Sequence, residues 1–422
     1  MNWITIDLSP LQVTSYRRVL MARTISIFGL GMVMVAIPVQ IQQLTGSPVF
    51  VGVVAGLEGL AAFSGMLLGG GVIDRYDRRL VIIYSRMVGL LCFAILSINA
   101  LVDATGTTIK LGIITTVAIT DGFAGSFAAA ALVAITGVLL PKEKMASAGM
   151  LNIATIRIGT IFAPLVAGFI IAQSSIVWCY VIGLLLTAIT IMVLIGLPSL
   201  KPAQVERGEG RLIEDPSIWY GVQFIVNNKL LLLVMLIAVG SSLVGGVRVL
   251  FPALVDEQFH GQAQLVGLMF SAVPAGALVA AIFSGWMGKL KRSQEALIVM
   301  AVFSFFFLGL FGLTCYFSFS WTWLGLGFLV CFGCLSSWAD VLQFAILQQE
   351  TPDCLRGRVS GVWLAQEISA ESVGSFGAGW IGKIWGASLG IVILAVSASG
   401  LSVPAISKLF GARCLYFLRR NR

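Results

Sequence analysis

Charge is scarce in this chain. Only 11% of its residues are charged, against 58% that are hydrophobic. With a mean hydropathy of +0.98, that balance excludes an ordinary soluble domain, in which about a quarter of residues carry charge. Histidine is scarcer still: the single one, His260, falls in a loop expected outside, which leaves no histidine relay and no metal site. Most of the seven cysteines lie within apolar runs, among them Cys92, Cys179, Cys315, Cys331 and Cys334. Cys331 and Cys334 form a CxxC, but no second pair or histidine cluster accompanies it, so they read as small hydrophobes on one helix face. No nucleophile–base pair and no phosphate-cradling glycine loop occurs, which argues against an enzyme. A soluble signalling domain is missing too, which leaves a sensor or scaffold little support. The first 16 residues lack a basic start and a cleavage-like site before Arg17-Arg18, and are expected to be a short cytoplasmic lead rather than a signal peptide.

What fills the chain is apolar runs. A bilayer crossing takes ~20 residues, and twelve such spans are expected, at about 19–44, 49–73, 80–100, 111–140, 146–172, 177–197, 230–255, 265–287, 296–317, 321–347, 359–381 and 387–410. The net charge of +8 does not mark a nucleic-acid binder, because the basic residues are scattered among the loops between these runs. Such scatter is what orientation in a lipid bilayer requires. External loops hold only Lys110 and Lys383; internal loops and both ends hold nearly all the rest, so both termini are expected in the cytoplasm. The one long polar interval, 199–228, holds Pro202, Gly208, Gly210 and Pro216 as breakers and sits at the midpoint of the chain. It divides an N-terminal six-helix half, 1–198, from a C-terminal one, 229–422. Within the interval, 217–226 (Ile218, Trp219, Phe224, Ile225) suits a short interfacial helix. Two echoes suggest duplication: Pro141…Gly149 resembles Pro352…Gly361, and the basic loop at 285–292 matches in position a cluster at 70–79. The expected fold is therefore an all-α polytopic membrane protein of twelve transmembrane helices in two pseudo-symmetric six-helix halves.

The 70–79 cluster is Gly70-Gly71-Val72-Ile73-Asp74-Arg75-Tyr76-Asp77-Arg78-Arg79, with five charges in six residues between two apolar runs. It is a tight turn and, being rich in arginine, a cytoplasmic one.

Ionisable side chains deep in a membrane cost at least ~2.5–3.5 kcal/mol and are functional candidates by default. Here they are Glu58, Asp121, Arg157, Arg248, Asp340, Glu367 and Glu371. Arg23, one turn inside its span, is placed to snorkel or to form a structural ion pair. Glu367 and Glu371 are four residues apart and share a helix face. Two carboxylates that close in low dielectric do not both ionise, which suits proton coupling. Glu58 is the other proton candidate. Asp121 lies in span 4 and Asp340 in span 10, corresponding positions in the two halves; pairing of Asp121 with Arg157 is the structural alternative. Arg157 and Arg248 keep their charge and suit an ion pair or a substrate carboxylate. Trp338 and Trp363 are either packing residues or stacking surfaces for a bulky substrate; Trp321 and Trp323 suit an interfacial belt.

The order of glycine, aspartate and arginines in 70–79 resembles the loop 2–3 signature of the major facilitator superfamily, with Asp77 standing where that family usually has glycine. The stretch Gly159-Thr160-Ile161-Phe162-Ala163-Pro164-Leu165-Val166-Ala167-Gly168 resembles the motif of its antiporters, through Gly159, Pro164 and Gly168. Met21 to Gly29 with Val35 to Gln42, Val247 to Leu254, Asp121-Gly122-Phe123, and Leu342 to Gln348 with Thr351-Pro352 and Gly357-Arg358-Val359 are similar to the enterobactin (siderophore) exporter group.

The resemblance covers essentially the whole chain. It implies export of a siderophore, an anionic catecholate or polycarboxylate iron chelator, across a bacterial inner membrane, driven by the proton gradient and without a cofactor. It implies that spans 1, 4, 7 and 10 line a central cavity. It implies a gate in which Gly70 lets spans 2 and 11 approach, Asp74 engages the start of span 11, and Arg75, Arg78 and Arg79 hold the inner side closed. The partners expected are the siderophore, protons and lipid, with the protein a monomer. A multidrug exporter of amphipathic cations is the alternative, since Asp121, Asp340 and the span 11 acids suit cations as well as the arginines suit anions.

Overall fold

Inside hydrocarbon every backbone amide must find its partner within its own segment, so apolar runs of this length become helices. The computed structural model describes residues 7–73, 75–102, 105–200, 218–290, 292–317, 322–353 and 355–400. The linker residues 201–217, the first six residues, the tail after 400, Asp74 and Trp321 lie outside the described residues. Among the described residues every long element is a helix. They are α1 (Thr14–Thr45), α2 (Pro48–Ile73), α3 (Arg78–Leu101), α4 (Thr107–Leu139), α5 (Met145–Gln173), α6 (Ile176–Ile195), α7 (Ile218–Asn227), α8 (Lys229–Gly245), α9 (Leu250–Gln258), α10 (Ala263–Ile282), α11 (Ser293–Phe317), α12 (Thr322–Glu350) and α13 (Arg356–Trp385), followed by α14 (Ala387–Gly400).

Counting α8 and α9 as one run, ten of these are long and apolar enough to cross a membrane. α13 is long enough, with 30 residues, but its acids dilute its hydropathy; α14 is short and apolar. The two complete the twelve expected positions. Helix ends follow local chemistry. Gly46 closes α1 in the left-handed conformation at φ 59, its N–H bonded to the Gln42 carbonyl. Asn228 caps α8 by accepting from the N–H groups of Leu230 and Leu231 at 3.0 and 3.3 Å.

The described chain forms two units. The first contains α1–α6 together with residues 262–271 of α10. There α4 packs on α2 and α3, and α1 packs on α5 and α6. Val19, Ile82, Ala128, Ala131, Ile135 and Leu194 form its main buried cluster. Tyr180 donates to Gln40 Oε1 at 2.6 Å, which satisfies the hydroxyl of a fully buried ring. The glycines and proline of the 159–168 stretch are packing residues. A Cβ on Gly159 would meet Ile27, one on Gly168 would meet Gly267, and one on Gly267 would meet the Pro164 carbonyl, all within 3 Å. Small residues of this kind let membrane helices touch backbone to backbone.

Among the described residues, the second unit contains 218–261 and 272–400. Here α11 packs on α12, and α13 lies along α7, α8 and the turn that follows α8. A short helix stands where one was expected, as α7. Trp219 is exposed on it, while Ile225 is buried with Leu231, Leu347 and Val359. The expected span 230–255 is present as one apolar run, Lys229–Gln258, though not as one regular helix. It is broken by a 3-10 turn, Gly246–Val249, between α8 and α9. Close approach is the reason: a Cβ on Gly246 would sit 2.3 Å from the Gly374 carbonyl carbon, and one on Gly374 would sit 2.1 Å from the Leu243 oxygen.

Candidate functional site

The break in the span carries Arg248, and it faces a cavity of about 150 Å³ within the second unit. Short 3-10 stretches inside helices often mark functional positions. The cavity is lined by Arg248, Asp340, Glu367 and Glu371, with Ser336 and Phe332 beside them. Four of the seven ionisable candidates therefore converge, from the turn, α12 and α13. Arg248 Nη1 lies 3.6 Å from Glu371 Oε1, with the two side chains 35% and 46% exposed. Gly245 lies beside this pair, where a Cβ would meet the Glu371 carboxyl at 3.4 Å, an ordinary van der Waals contact. Ser242 accepts from Gln366 Nε2 at 3.2 Å. The cavity thus offers acceptors, hydroxyls and one fixed cation.

In the first unit the acids meet differently. Glu58 on α2 lies against Gly122 on α4, where a Cβ would come within 3.1 Å of Glu58 Cγ. The neighbouring Asp121 points toward α3, with its Oδ1 3.2 Å from where a Cβ on Gly89 would be. The charge that acts on Asp121 is that of Arg86 on α3, and Arg23 acts in turn on Arg86. The expected alternative partner for Asp121, Arg157, sits half-buried on α5. Arg23 reaches Asn152 Oδ1 at 3.5 Å. Sequence reasoning passed over Arg86, although it stands seven residues, two helical turns, beyond Arg79 and inside the apolar run.

The tryptophans pack rather than line the cavity. Trp338 donates from Nε1 to the Ala280 carbonyl at 2.9 Å and meets Trp286 edge to face at 5.5 Å. Trp363 lies 5.5 Å from Phe344 in the cluster beneath α7.

A model of the Major Facilitator Superfamily matches residues 19–370. The chain belongs to that superfamily. It is 33% identical over 424 residues to the enterobactin exporter EntS of Escherichia coli O139:H28 (strain E24377A / ETEC), an alignment covering 100% of this chain and 96% of that one. The same holds for the EntS of Escherichia fergusonii. Among solved structures, the nucleoside transporter NupG superposes with a TM-score of 0.74 at 14% identity, covering 93% of this chain and 98% of that one. A bacterial homologue of the iron transporter ferroportin, in its inward-facing state, superposes with a TM-score of 0.70 at 14% identity and the same coverage. At such identities these structures speak for the fold. This facilitator is therefore an all-α, multi-pass membrane transporter of a small molecule, and not an enzyme.

The facilitator's loop 2–3 is described except for Asp74. Gly70 lies in the last turn of α2, and Arg75 is exposed. Asp77 caps α3 by accepting from Arg79 N–H at 2.9 Å, and also accepts from Ser199 Oγ at 2.6 Å and Leu200 N–H at 3.0 Å. Arg78 N–H donates to the Leu200 carbonyl at 3.3 Å. The guanidinium groups of Arg79 and Arg18 donate to the carbonyls of Ile195 and Gly196 at the end of α6, where cations suit the helix dipole. Burial pushes the Asp77 carboxyl up, but the hydrogen bonds from Ser199, Leu200 and Arg79 and the Arg79 charge outweigh it and hold Asp77 below the usual aspartate range. The residue that departs from the family pattern thus ties loop 2–3 to the segment leaving α6.

Proposed function

We propose that this facilitator exports a siderophore from the cytoplasm to the periplasm of a bacterium across the inner membrane, by proton antiport with alternating access of two six-helix halves. The observation that carries the reading is the full-length likeness to the enterobactin exporter. The cavity of Arg248, Asp340, Glu367 and Glu371 supports the exchange mechanism, because carboxylates beside a fixed cation can bind either a proton or a polar ligand. Glu58 and Asp121 are the further proton candidates, and Arg157 a further substrate contact. The proton gradient supplies the energy and no cofactor is needed; the protein works as a monomer with both termini in the cytoplasm. Gly70, Asp74, Arg75, Arg78 and Arg79 form the inner gate.

One observation favours a second reading. In the cavity three acids face one arginine, which suits an amphipathic cation and hence a multidrug exporter. The test compares an iron-starved deletion strain with its parent. Loss of secreted chelator, with chelator retained inside and secretion restored by the wild-type gene, is expected. Normal secretion with new sensitivity to cationic dyes would replace the siderophore reading with the drug one.

A further inference from the structure

Loop 2–3 closes one end of an apolar groove, and loop and groove together fit a partner that the transport reading does not use. The groove, of about 560 Å³, lies within the first unit. Val72 of α2 and Tyr76 beyond it form the loop end, Leu80, Tyr84 and Val88 of α3 one wall, and Phe123 and Phe127 of α4 the other. At ~1.5 Å per residue, Leu80 to Val88 runs about 12 Å along α3. Tyr76, Leu80, Tyr84 and Phe123 are exposed, so the groove is open rather than enclosed. Its polar groups are already engaged. Thr120 donates to the Thr116 carbonyl at 2.8 Å, and Ser85 donates to the Ala124 carbonyl. Asp77 Oδ1 accepts from the N–H groups of Arg79 and Leu200, and its Oδ2 from Ser199. The walls therefore offer almost only carbon, which suits a hydrocarbon chain. A helix 10–12 Å across would occupy ~900–1,400 Å³ over the same 12 Å, more than the groove holds.

Charge gathers at the loop end. Loop 2–3 holds three arginines against two aspartates, and they are unequally engaged. Arg79 donates to the Ile195 carbonyl. Among the described residues neither Arg75 nor Arg78 forms an ion pair. Arg75 is exposed, and Arg78 Nε is buried with no acceptor. A buried donor in that state is costly, and phosphate oxygens match the guanidinium fork. We propose that the groove binds one phospholipid of net negative headgroup charge, with an acyl chain between α2, α3 and α4 and the phosphate at Arg75 and Arg78. The ammonium of a zwitterionic headgroup gains nothing from Asp77, whose oxygens are taken, so the two arginines favour the anionic lipid. Tyr76, at the mouth, suits the headgroup level. The site holds whichever substrate the facilitator carries.

Native mass spectrometry reads occupancy and headgroup together. The purified full-length protein, delipidated in detergent, is offered equal amounts of phosphatidylglycerol and phosphatidylethanolamine. One bound phosphatidylglycerol is expected, retained at least about tenfold over the ethanolamine lipid, with the preference falling as salt is raised. Arg75→Gln combined with Arg78→Gln is expected to bring the ratio of the two lipids close to one while a chain still binds. Val88→Trp, which fills the groove, is expected to lose both lipids. Lys289→Gln combined with Arg292→Gln, in the basic loop of the second half, is expected to keep the wild-type ratio. All variants are checked for monodispersity, and the arginine pair tests the headgroup contact without altering the groove's walls. Equal retention of the two lipids by the wild type, preference for the ethanolamine lipid, or binding of neither would overturn the proposal. So would a preference that survives in the Arg75 and Arg78 variant, or one lost equally in the second-loop pair, which marks general attraction to basic loops. Protein dimers in place of lipid adducts would overturn it in favour of a second copy of the chain.

Discussion

Removing the carboxylate of Asp121 leaves the Arg86 guanidinium inside the helix bundle with Arg23, a like charge, acting on it. Asp121→Asn is therefore expected to lower the melting temperature in detergent, and Arg86→Gln added to it to recover part of the loss. A double-mutant cycle should return a coupling of about 0.5–3 kcal/mol; additive losses would remove the pairing. Each ionisable candidate was legible as a residue, because a charge in an apolar run stands out against the cost of placing it there. Partnership was not. Asp121 on span 4 has charged residues on several other spans, and the packing of α4 against α3 is what brings Arg86 within reach of its charge. The convergence of Arg248, Asp340, Glu367 and Glu371 was hidden for the same reason: three of these residues are separated in the chain by many helical turns, and only the Glu367–Glu371 spacing is local. The roles weighed for Trp338 divide on one bond, since its donation to Ala280 fixes the ring as packing.

At the scale of elements, two junctions invite substitution. Asp77 both caps α3 and holds Ser199 and Leu200, so Asp77→Ala is expected to cost about 0.5–2 kcal/mol, the range for a lost N-cap. The effect has a pH signature. The folded Asp77 titrates below its ordinary range, so its contribution is present above the unfolded value of about 3.9 and is lost as pH falls through the folded one. Melting curves taken downward from about pH 5 should converge for wild type and Asp77→Ala; a gap that persists unchanged at the lowest pH would remove the carboxylate's role. The second junction is the contact of Gly246 with Gly374. Gly374→Ala places a methyl group against the Leu243 carbonyl and is expected to cost about 1–3 kcal/mol as overpacking, read as a lower melting temperature, whereas Gly377→Ala, where a Cβ meets nothing within 4 Å, should be neutral. The span itself was readable from hydropathy, and the glycines beside Arg248 were readable as small. Its 3-10 break was not, because the turn is set by how closely α13 approaches, a distance that hydropathy does not encode.

For the whole molecule, the number and order of spans followed from length and hydropathy, since the bilayer fixes how long an apolar run must be. The twelfth was the least legible in extent, with α14 described to Gly400; α13 was recognisable only through its place in the count, because its acids lower its hydropathy. Orientation rests on a different property, the distribution of lysine and arginine across the loops. The two basic residues assigned outside bear on that assignment. Lys110 is 8% exposed in the first turns of α4, with its carbonyl accepting from Asn99, and Lys383 lies over the Trp380 ring at 5.9 Å in the last turn of α13. Both stand at helix ends, where a basic residue counts toward orientation, so they are the two charges that oppose the assignment and leave the rest of the asymmetry to carry it. Fusions test it directly. A green fluorescent protein joined after Arg422 is expected to fluoresce, and alkaline phosphatase joined after Gly106 or after Gly261 to be active, with the reporters silent when exchanged. Active phosphatase at the C-terminus would invert the topology. It would place the Arg75–Arg79 loop in the periplasm and turn the proposed inner gate into an outer one, and proton entry to the Glu367 end of α13 would then come from the opposite side of the membrane.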